Sequence, residues 1–145
     1  MIAVSALDLP ARQGTDYPAP HDAPCRNRIR RALGDVFGLS QFGVNMLDLP
    51  PGTWSSQRHW HEQQDEFVYV LEGEVVLVTD AGEEVLRPGD CAGFKAGDPD
   101  GHHLQNRSDR DEENACSDTH DRPFPGMALS LPWYGYPAGR TANRR

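Results

Sequence analysis

Residues 52–73 have the sequence GTWSSQRHWHEQQDEFVYVLEG and combine potential metal ligands with a β-strand pattern. Side chains two positions apart in a strand point to the same face, so His59 and His61 share a face while Trp60 points away. Glu66 opens the next strand after a connection of four residues, which is short enough to bring its carboxylate beside the two imidazoles. The stretch therefore predicts that two histidines and one glutamate meet at a single site.

The pattern around this stretch is that of β-structure. Residues 40–49 and 65–73 alternate apolar and other side chains, and in the second segment the alternation runs through Phe67, Tyr69 and Leu71. We expect each segment to be a strand with one buried face, formed in the second by these three side chains. Turn signals recur roughly every eight to ten residues, which predicts an all-β fold with a closed or sandwiched antiparallel sheet.

Imidazoles combined with a carboxylate suit divalent ions such as iron, manganese, nickel, copper or zinc. Histidines at positions i and i+2 are by themselves a weak signal, and the alternative is a pair of exposed surface histidines. A further nitrogen ligand is available from His102 on a later strand. Three nitrogens and one oxygen leave room for water or substrate, as a catalytic metal site requires.

The ligand spacing resembles the first conserved motif of the cupin superfamily. That motif is a glycine, a His-x-His pair, a glutamate and a second glycine, and here it is formed by Gly52, His59, His61, Glu66 and Gly73. By this resemblance the two histidines and the glutamate are metal ligands, and the metal is a divalent ion.

A second cupin motif is present with two departures from the family pattern. Gly89, Gly97, His102 and Asn106 occupy its positions. A lysine stands two residues before Gly97, where proline is usual, and the loop that precedes the histidine is two residues longer. His102 keeps the family's spacing to Asn106, so we prefer it as the fourth ligand, with His103 as the alternative.

The resemblance implies a double-stranded β-helix, or jelly-roll barrel, that is usually packed as a homodimer. It covers residues 33–108, which we predict to be the cupin barrel. Residues 1–32 are predicted to be an extended N-terminal arm, because they are rich in proline and show no sustained period. Residues 109–145 are expected to be irregular, with at most one edge strand near Met127, because Pro132 cannot donate to a β-ladder.

The N-terminal arm carries a short basic cluster. We expect a helical turn between Arg28 and Leu33, and we interpret the four arginines of this region as a solvated basic turn that offsets acidic neighbours, with contact to an anion as the alternative. The four are Arg26, Arg28, Arg30 and Arg31. The formal net charge of −8 and the pI near 5.1 argue against nucleic acid as a partner.

Other function classes are excluded by pattern. The longest apolar run, residues 67–71, is far shorter than the roughly 18 residues that suggest a membrane span. The N-terminus does not resemble a secretory leader, so we expect the cytoplasm as the location. Three widely spaced cysteines without a Cys-x-x-Cys pair predict neither a disulfide framework nor a thiolate zinc site.

The cupin scaffold does not decide the reaction. We predict a small metalloenzyme that acts on a small molecule in the barrel, by either oxygen-dependent cleavage or sugar-type isomerisation, with Glu66 as a ligand and candidate base. Trp54 and Tyr69 are candidate pocket residues, although aromatic side chains more often fill a core. The alternative is a cupin that binds or senses a small molecule without turning it over.

Overall fold

The computed structural model describes residues 3–108 and 127–132, and the regular structure there is mainly β with little helix. Three short 3-10 helices span Ala6–Asp8, Ala23–Cys25 and Asp35–Phe37, and within the described ranges no helix could cross a membrane. The strands are β1 (Arg12–Gln13), β2 (Ile29–Ala32), β3 (Asn45–Asp48), β4 (Glu66–Glu72), β5 (Val75–Thr79), β6 (Gly82–Leu86), β7 (Cys91–Phe94), β8 (His103–Gln105) and β9 (Met127–Pro132).

The strands form two antiparallel sheets that enclose one hydrophobic core. One sheet has the order β1-β2-β3-β9-β4-β7 and the other has the order β6-β5-β8. Both sheets contribute side chains to the core, Val68 and Val70 from the larger sheet and Val75, Leu77, Leu86 and Leu104 from the smaller one. This arrangement confirms the predicted all-β jelly-roll fold. The buried core side chains are Leu49, Val68, Val70, Val75, Leu77, Leu86 and Leu104.

The buried face of β4 is the opposite of the one that we predicted. Val68 and Val70 are 3% and 0% exposed, whereas Phe67, Tyr69 and Leu71 are 38–39% exposed. The apolar residues on both faces made the alternation ambiguous. Since residues two apart share a face, the inward direction of Val68 also turns Glu66 inward.

The homodimer implied by the family resemblance stays a prediction.

The N-terminal arm contains a strand where we expected a helical turn. β2 pairs with β3 in the register Ile29 opposite Asp48 and Arg30 opposite Leu47. A single helical turn has little stability of its own, whereas the exposed edge of β3 offers backbone partners along the whole of β2. The arm is therefore joined to the larger sheet, and regular structure begins before Ser40.

The expected edge strand near the C-terminus is instead a central strand. β9 pairs with β3 on one side and with β4 on the other. The β3 pairing ends with Ser130 opposite Asn45, so Pro132 lies beyond it and its missing N–H interrupts no bond to β3. The rest of the segment that we predicted to be irregular, residues 109–126 and 133–145, lies outside the described residues.

A buried carboxylate on β3 leads to a testable prediction about stability. Asp48 is 8% exposed, and its Oδ1 has no hydrogen-bond partner among the described residues. Burial raises the pKa of Asp48 above its usual value of 3.8, although the charge of Arg31 opposes this shift. The folded state therefore holds the Asp48 proton more tightly than the unfolded state does, and stability falls as the pH rises from 3.8 through the folded pKa.

We expect Asp48→Asn to raise the free energy of unfolding by about 1 kcal/mol at pH 7, because the folded protein then buries no charge at this position. The gain should vanish below about pH 3.8, where the carboxyl is protonated in both states. Urea unfolding across this pH range measures it. The exposed Asp35→Asn variant is the control, and an equal gain in that variant would contradict the explanation.

Candidate metal centre

Backbone pairing brings the predicted ligands together from separate parts of the chain. His59 and His102 form an antiparallel bridge in which each backbone N–H donates to the other residue's carbonyl, at 3.3 and 2.9 Å. Residues directly opposite in such a pair project their side chains to the same face. The backbone carbonyl of His61 accepts a hydrogen bond from the N–H of Gly97 at 2.8 Å, which anchors the connection that leads to Glu66.

Three imidazole side chains converge on a single oxygen atom of the fourth residue, Glu66. Glu66 Oε2 lies 3.2 Å from His61 Nε2, 3.1 Å from His102 Nε2 and 3.9 Å from His59 Nε2. Donor atoms of His59, His61 and Glu66 all lie within 4.8 Å of one another, and His102 joins this group through its contact with Glu66. The structure thus gathers the four residues that the two sequence motifs singled out.

Backbone carbonyls on the far side of two imidazole rings favour the tautomer that a metal requires. His59 Nδ1 lies 2.9 Å from the carbonyl of Gln57, and His102 Nδ1 lies 3.2 Å from the carbonyl of Asp100. An N–H at Nδ1 donates to these carbonyls and leaves the lone pair of each Nε2 directed at Glu66. Bonds of this kind fix the orientation of histidine ligands in metal sites.

The site runs from a buried floor to an accessible rim. The His102 side chain is 5% exposed and stacks on Phe94 with the ring centroids 3.5 Å apart, whereas the side chains of His59 and His61 are 35% and 29% exposed. Packing therefore holds His102 in place, while the two histidines of the first motif can contact a molecule that enters from solvent.

His103, the alternative fourth ligand, is engaged elsewhere. Its Nδ1 lies 2.9 Å from the carbonyl of Ser56, and its Nε2 lies 2.8 Å from Nε2 of Gln105. Burial lowers the pKa of His103, despite the opposing hydrogen bond to Ser56, so the ring is neutral at pH 7. With both ring nitrogens in hydrogen bonds, His103 has no lone pair available for the group around Glu66.

Two cavities meet at the ligand group. An inner cavity of about 20 Å³ is lined by His59, Glu66, His102 and Phe94 among others, and an outer cavity of about 210 Å³ is lined by His59, His61 and Glu66. The inner cavity exceeds the roughly 10–15 Å³ that one water molecule needs. The outer cavity is smaller than the roughly 300–1,000 Å³ of pockets for drug-sized ligands, so it suits a small molecule.

The donor set fits a divalent metal ion. In the tautomer that backbone carbonyls favour for His59 and His102, the Nε2 lone pairs face a carboxylate oxygen at 3.9 and 3.1 Å, and such groups repel one another unless a proton or a metal cation lies among them. Imidazole and carboxylate together bind first-row divalent metals. His59, His61, Glu66 and His102 are the residues that would hold the ion.

The two predicted pocket residues do not line either cavity. Trp54 packs edge-on against His103, with ring centroids 4.7 Å apart, and Tyr69 lies on the outward face of β4 with 38% exposure. The register of β4 explains the position of Tyr69, because Glu66 and Val68 take the inward positions.

Three residues of the N-terminal arm, none of them among the predicted site residues, line the outer cavity instead. They are Tyr17, Arg28 and Arg30. The spacing of Arg28 and Arg30 could have indicated that their side chains point to the same side. Positions i and i+2 share a face in extended chain, and residues 29–32 form a strand. The expected helical turn concealed it.

Comparison with known proteins places the chain in a family. The cupin domain model matches residues 45–113. A cupin-superfamily sugar phosphate isomerase from Silicibacter pomeroyi is 42% identical, with a TM-score of 0.77 over 90% of this chain and 74% of that one. The chain belongs to the cupin superfamily, as the two motifs predicted. Among curated protein sequences, none matches it.

Two other solved structures show how far the likeness extends. A protein from Acidithiobacillus ferrooxidans, provisionally named a sugar phosphate isomerase, is 25% identical with a TM-score of 0.60, over 74% of this chain and 59% of that one. A predicted oxalate decarboxylase from Thermotoga maritima is 16% identical with a TM-score of 0.67, over 91% of this chain and 98% of that one. The second likeness concerns the fold alone.

Proposed function

We propose that the protein is a metal-dependent isomerase of a small sugar-like carbonyl compound. The observation that carries the proposal is the outer cavity, which opens onto donor atoms of His59, His61 and Glu66 and is sized for a small molecule. The 42% identical relative from Silicibacter pomeroyi, named a sugar phosphate isomerase, supports this reaction over the others known on the same scaffold.

Different side chains of the site would have different roles in such a reaction. A divalent ion would polarise the substrate carbonyl, which acidifies the neighbouring C–H. His102 would hold the ion from the buried floor of the site and His59 from its more exposed rim, and both rings are oriented through their Nδ1 atoms. Isomerisation also needs a group that moves a proton between adjacent carbons. Glu66 lines the cavity and remains our candidate base.

Oxygen-dependent cleavage and binding without turnover are the competing functions, and one assay separates all three. The protein is incubated in D₂O with aldoses, ketoses and their phosphate esters, and proton NMR follows deuterium entry beside the carbonyl. We expect isomer formation with deuterium incorporation, an absolute requirement for metal and no consumption of O₂. Oxygen uptake would favour cleavage, and ligand binding without chemical change would favour the non-catalytic alternative.

A further inference from the structure

The outer cavity brings two unpaired positive charges to the candidate metal centre. Arg28 and Arg30 line it together with His59, His61 and Glu66. Both arginines come from the N-terminal arm, which strand β2 attaches to the larger sheet. The arm therefore forms part of the cavity wall, together with the motif residues.

The charges of these two arginines are not neutralised by carboxylates. Other arginines in the described part of the chain form ion pairs, such as Arg26 with Asp22 at 2.7 Å and Arg107 with Glu83 at 2.6 Å. Arg28 and Arg30 form none with any described residue.

The carboxylate of Asp16 is within electrostatic reach of both cavity arginines but already has a partner. Its pKa is lowered first by the hydrogen bond from Arg12 and only then by the more distant charges of Arg28 and Arg30. Arg28 and Arg30 therefore bring positive charge to the cavity without an ion pair to any described carboxylate, although the chain as a whole carries a net charge of −8.

The two arginines differ in how they are held. Arg28 donates from Nε to the carbonyl of Gly14 at 2.9 Å and from Nη1 to the carbonyl of Ser55. These bonds fix its guanidinium without cancelling its charge. The backbone of Arg30 pairs with β1 and β3, whereas its guanidinium has no hydrogen bond or ion pair to any residue that the structure describes, so the donor fork is available to a ligand.

We propose that Arg28 and Arg30 bind the phosphoryl group of a phosphorylated substrate, whose carbonyl end then reaches the donors of the metal centre. A phosphate monoester carries up to two negative charges and three acceptor oxygens, which matches two guanidinium groups better than a single carboxylate does. This inference rests on the proposed function and specifies its substrate class. It also gives the N-terminal arm a role in specificity.

Isothermal titration of the full-length protein with inorganic phosphate tests the proposal directly. We expect saturable binding, and we expect Arg30→Gln to weaken it about tenfold or more, since a charge-assisted hydrogen bond contributes roughly 1.5–3 kcal/mol. Arg30→Lys keeps the charge but loses the donor fork, so its phosphate affinity should lie between those of the wild type and Arg30→Gln. It substitutes for Arg30→Gln if that variant does not fold. Unchanged affinity in both variants would overturn the proposal.

Arg87→Gln is the matched control, because Arg87 pairs with Glu74 at 3.1 Å and does not line the cavity. Its phosphate affinity should stay within about twofold of the wild type. An equal loss in Arg87→Gln would show that phosphate responds only to net charge. Acetate should bind far more weakly than phosphate, and equal affinities would overturn the assignment of a phosphoryl group.

Metal measurements separate this proposal from the proposed function. Arg30→Gln should retain the metal content of the wild type, because Arg30 is not among the donor residues. Phosphate binding should persist after treatment with chelator. If chelation abolishes it, phosphate binds the metal and not the arginines, which overturns the inference. A protein that binds phosphate but never metal would refute the isomerase proposal while leaving the anion site intact.

Discussion

Replacing Glu66 with glutamine is expected to abolish metal binding and activity together. Glu66 Oε2 is the atom on which three imidazole Nε2 atoms converge, at 3.1–3.9 Å. The amide keeps the shape of the side chain but removes the negative charge that offsets a divalent cation. We expect metal affinity to fall at least about 100-fold and turnover to fall about 10³-fold.

Elemental analysis of the purified variant, together with competition against a chelator, measures the metal loss. The matched control is Glu62→Gln, which makes the same chemical change in the exposed connection before β4. Glu62→Gln should keep the metal content and activity of the wild type. A Glu66→Gln protein with unchanged metal content would show that the carboxylate is not a ligand, and the proposed centre would be wrong.

The sequence predicted the fold class well but the strand environment less well. Turn spacing and the two motifs led to an antiparallel jelly roll, which the two sheets confirm. The prediction of which face of β4 is buried was wrong. Every residue from Phe67 to Leu71 is apolar, so the alternation could not distinguish the two faces of the strand. Glu66 indicates the correct face, because a strand that turns this residue toward the histidines also turns Val68 and Val70 inward.

Long-range pairing explains the other errors. β9 is central because it fits between β3 and β4, which lie far from it in sequence, and no local pattern near Pro132 reveals such partners. β2 is a strand because β3 offers a free edge. Both errors came from judging a segment by its own composition, when tertiary partners decide the outcome of β-pairing.

The candidate centre was more predictable than the cavity around it. Ligand spacing is local, because the i, i+2 relation and a short connection bring three donors together before any distant contact is known. The positions of Arg28 and Arg30 in the outer cavity could not be predicted without the β2–β3 register. This register places Arg30 opposite Leu47, which also lines the cavity. The turn expected here was wrong because Ile29–Ala32 form strand β2, and Arg28 and Arg30 line the outer cavity, whereas Arg26 is exposed and pairs with Asp22 as expected.

Substitutions of the adjacent histidines His102 and His103 should differ in their effect on metal binding. His102→Ala removes a nitrogen 3.1 Å from Glu66, so metal affinity should fall about 10–100-fold or more. His103→Ala removes two hydrogen bonds and the edge-on contact with Trp54, so it should lower the free energy of unfolding by about 1–3 kcal/mol and leave the metal in place.

Chelator competition and urea unfolding of the metal-free proteins give the two readouts separately. The comparison is informative because the two residues are equally buried, at 4% exposure each, so burial alone predicts no difference in metal affinity between the variants. Loss of metal from His103→Ala with retention in His102→Ala would make His103 the ligand. That result would require the loop before β8 to shift by one residue, because neighbouring strand positions face opposite sides.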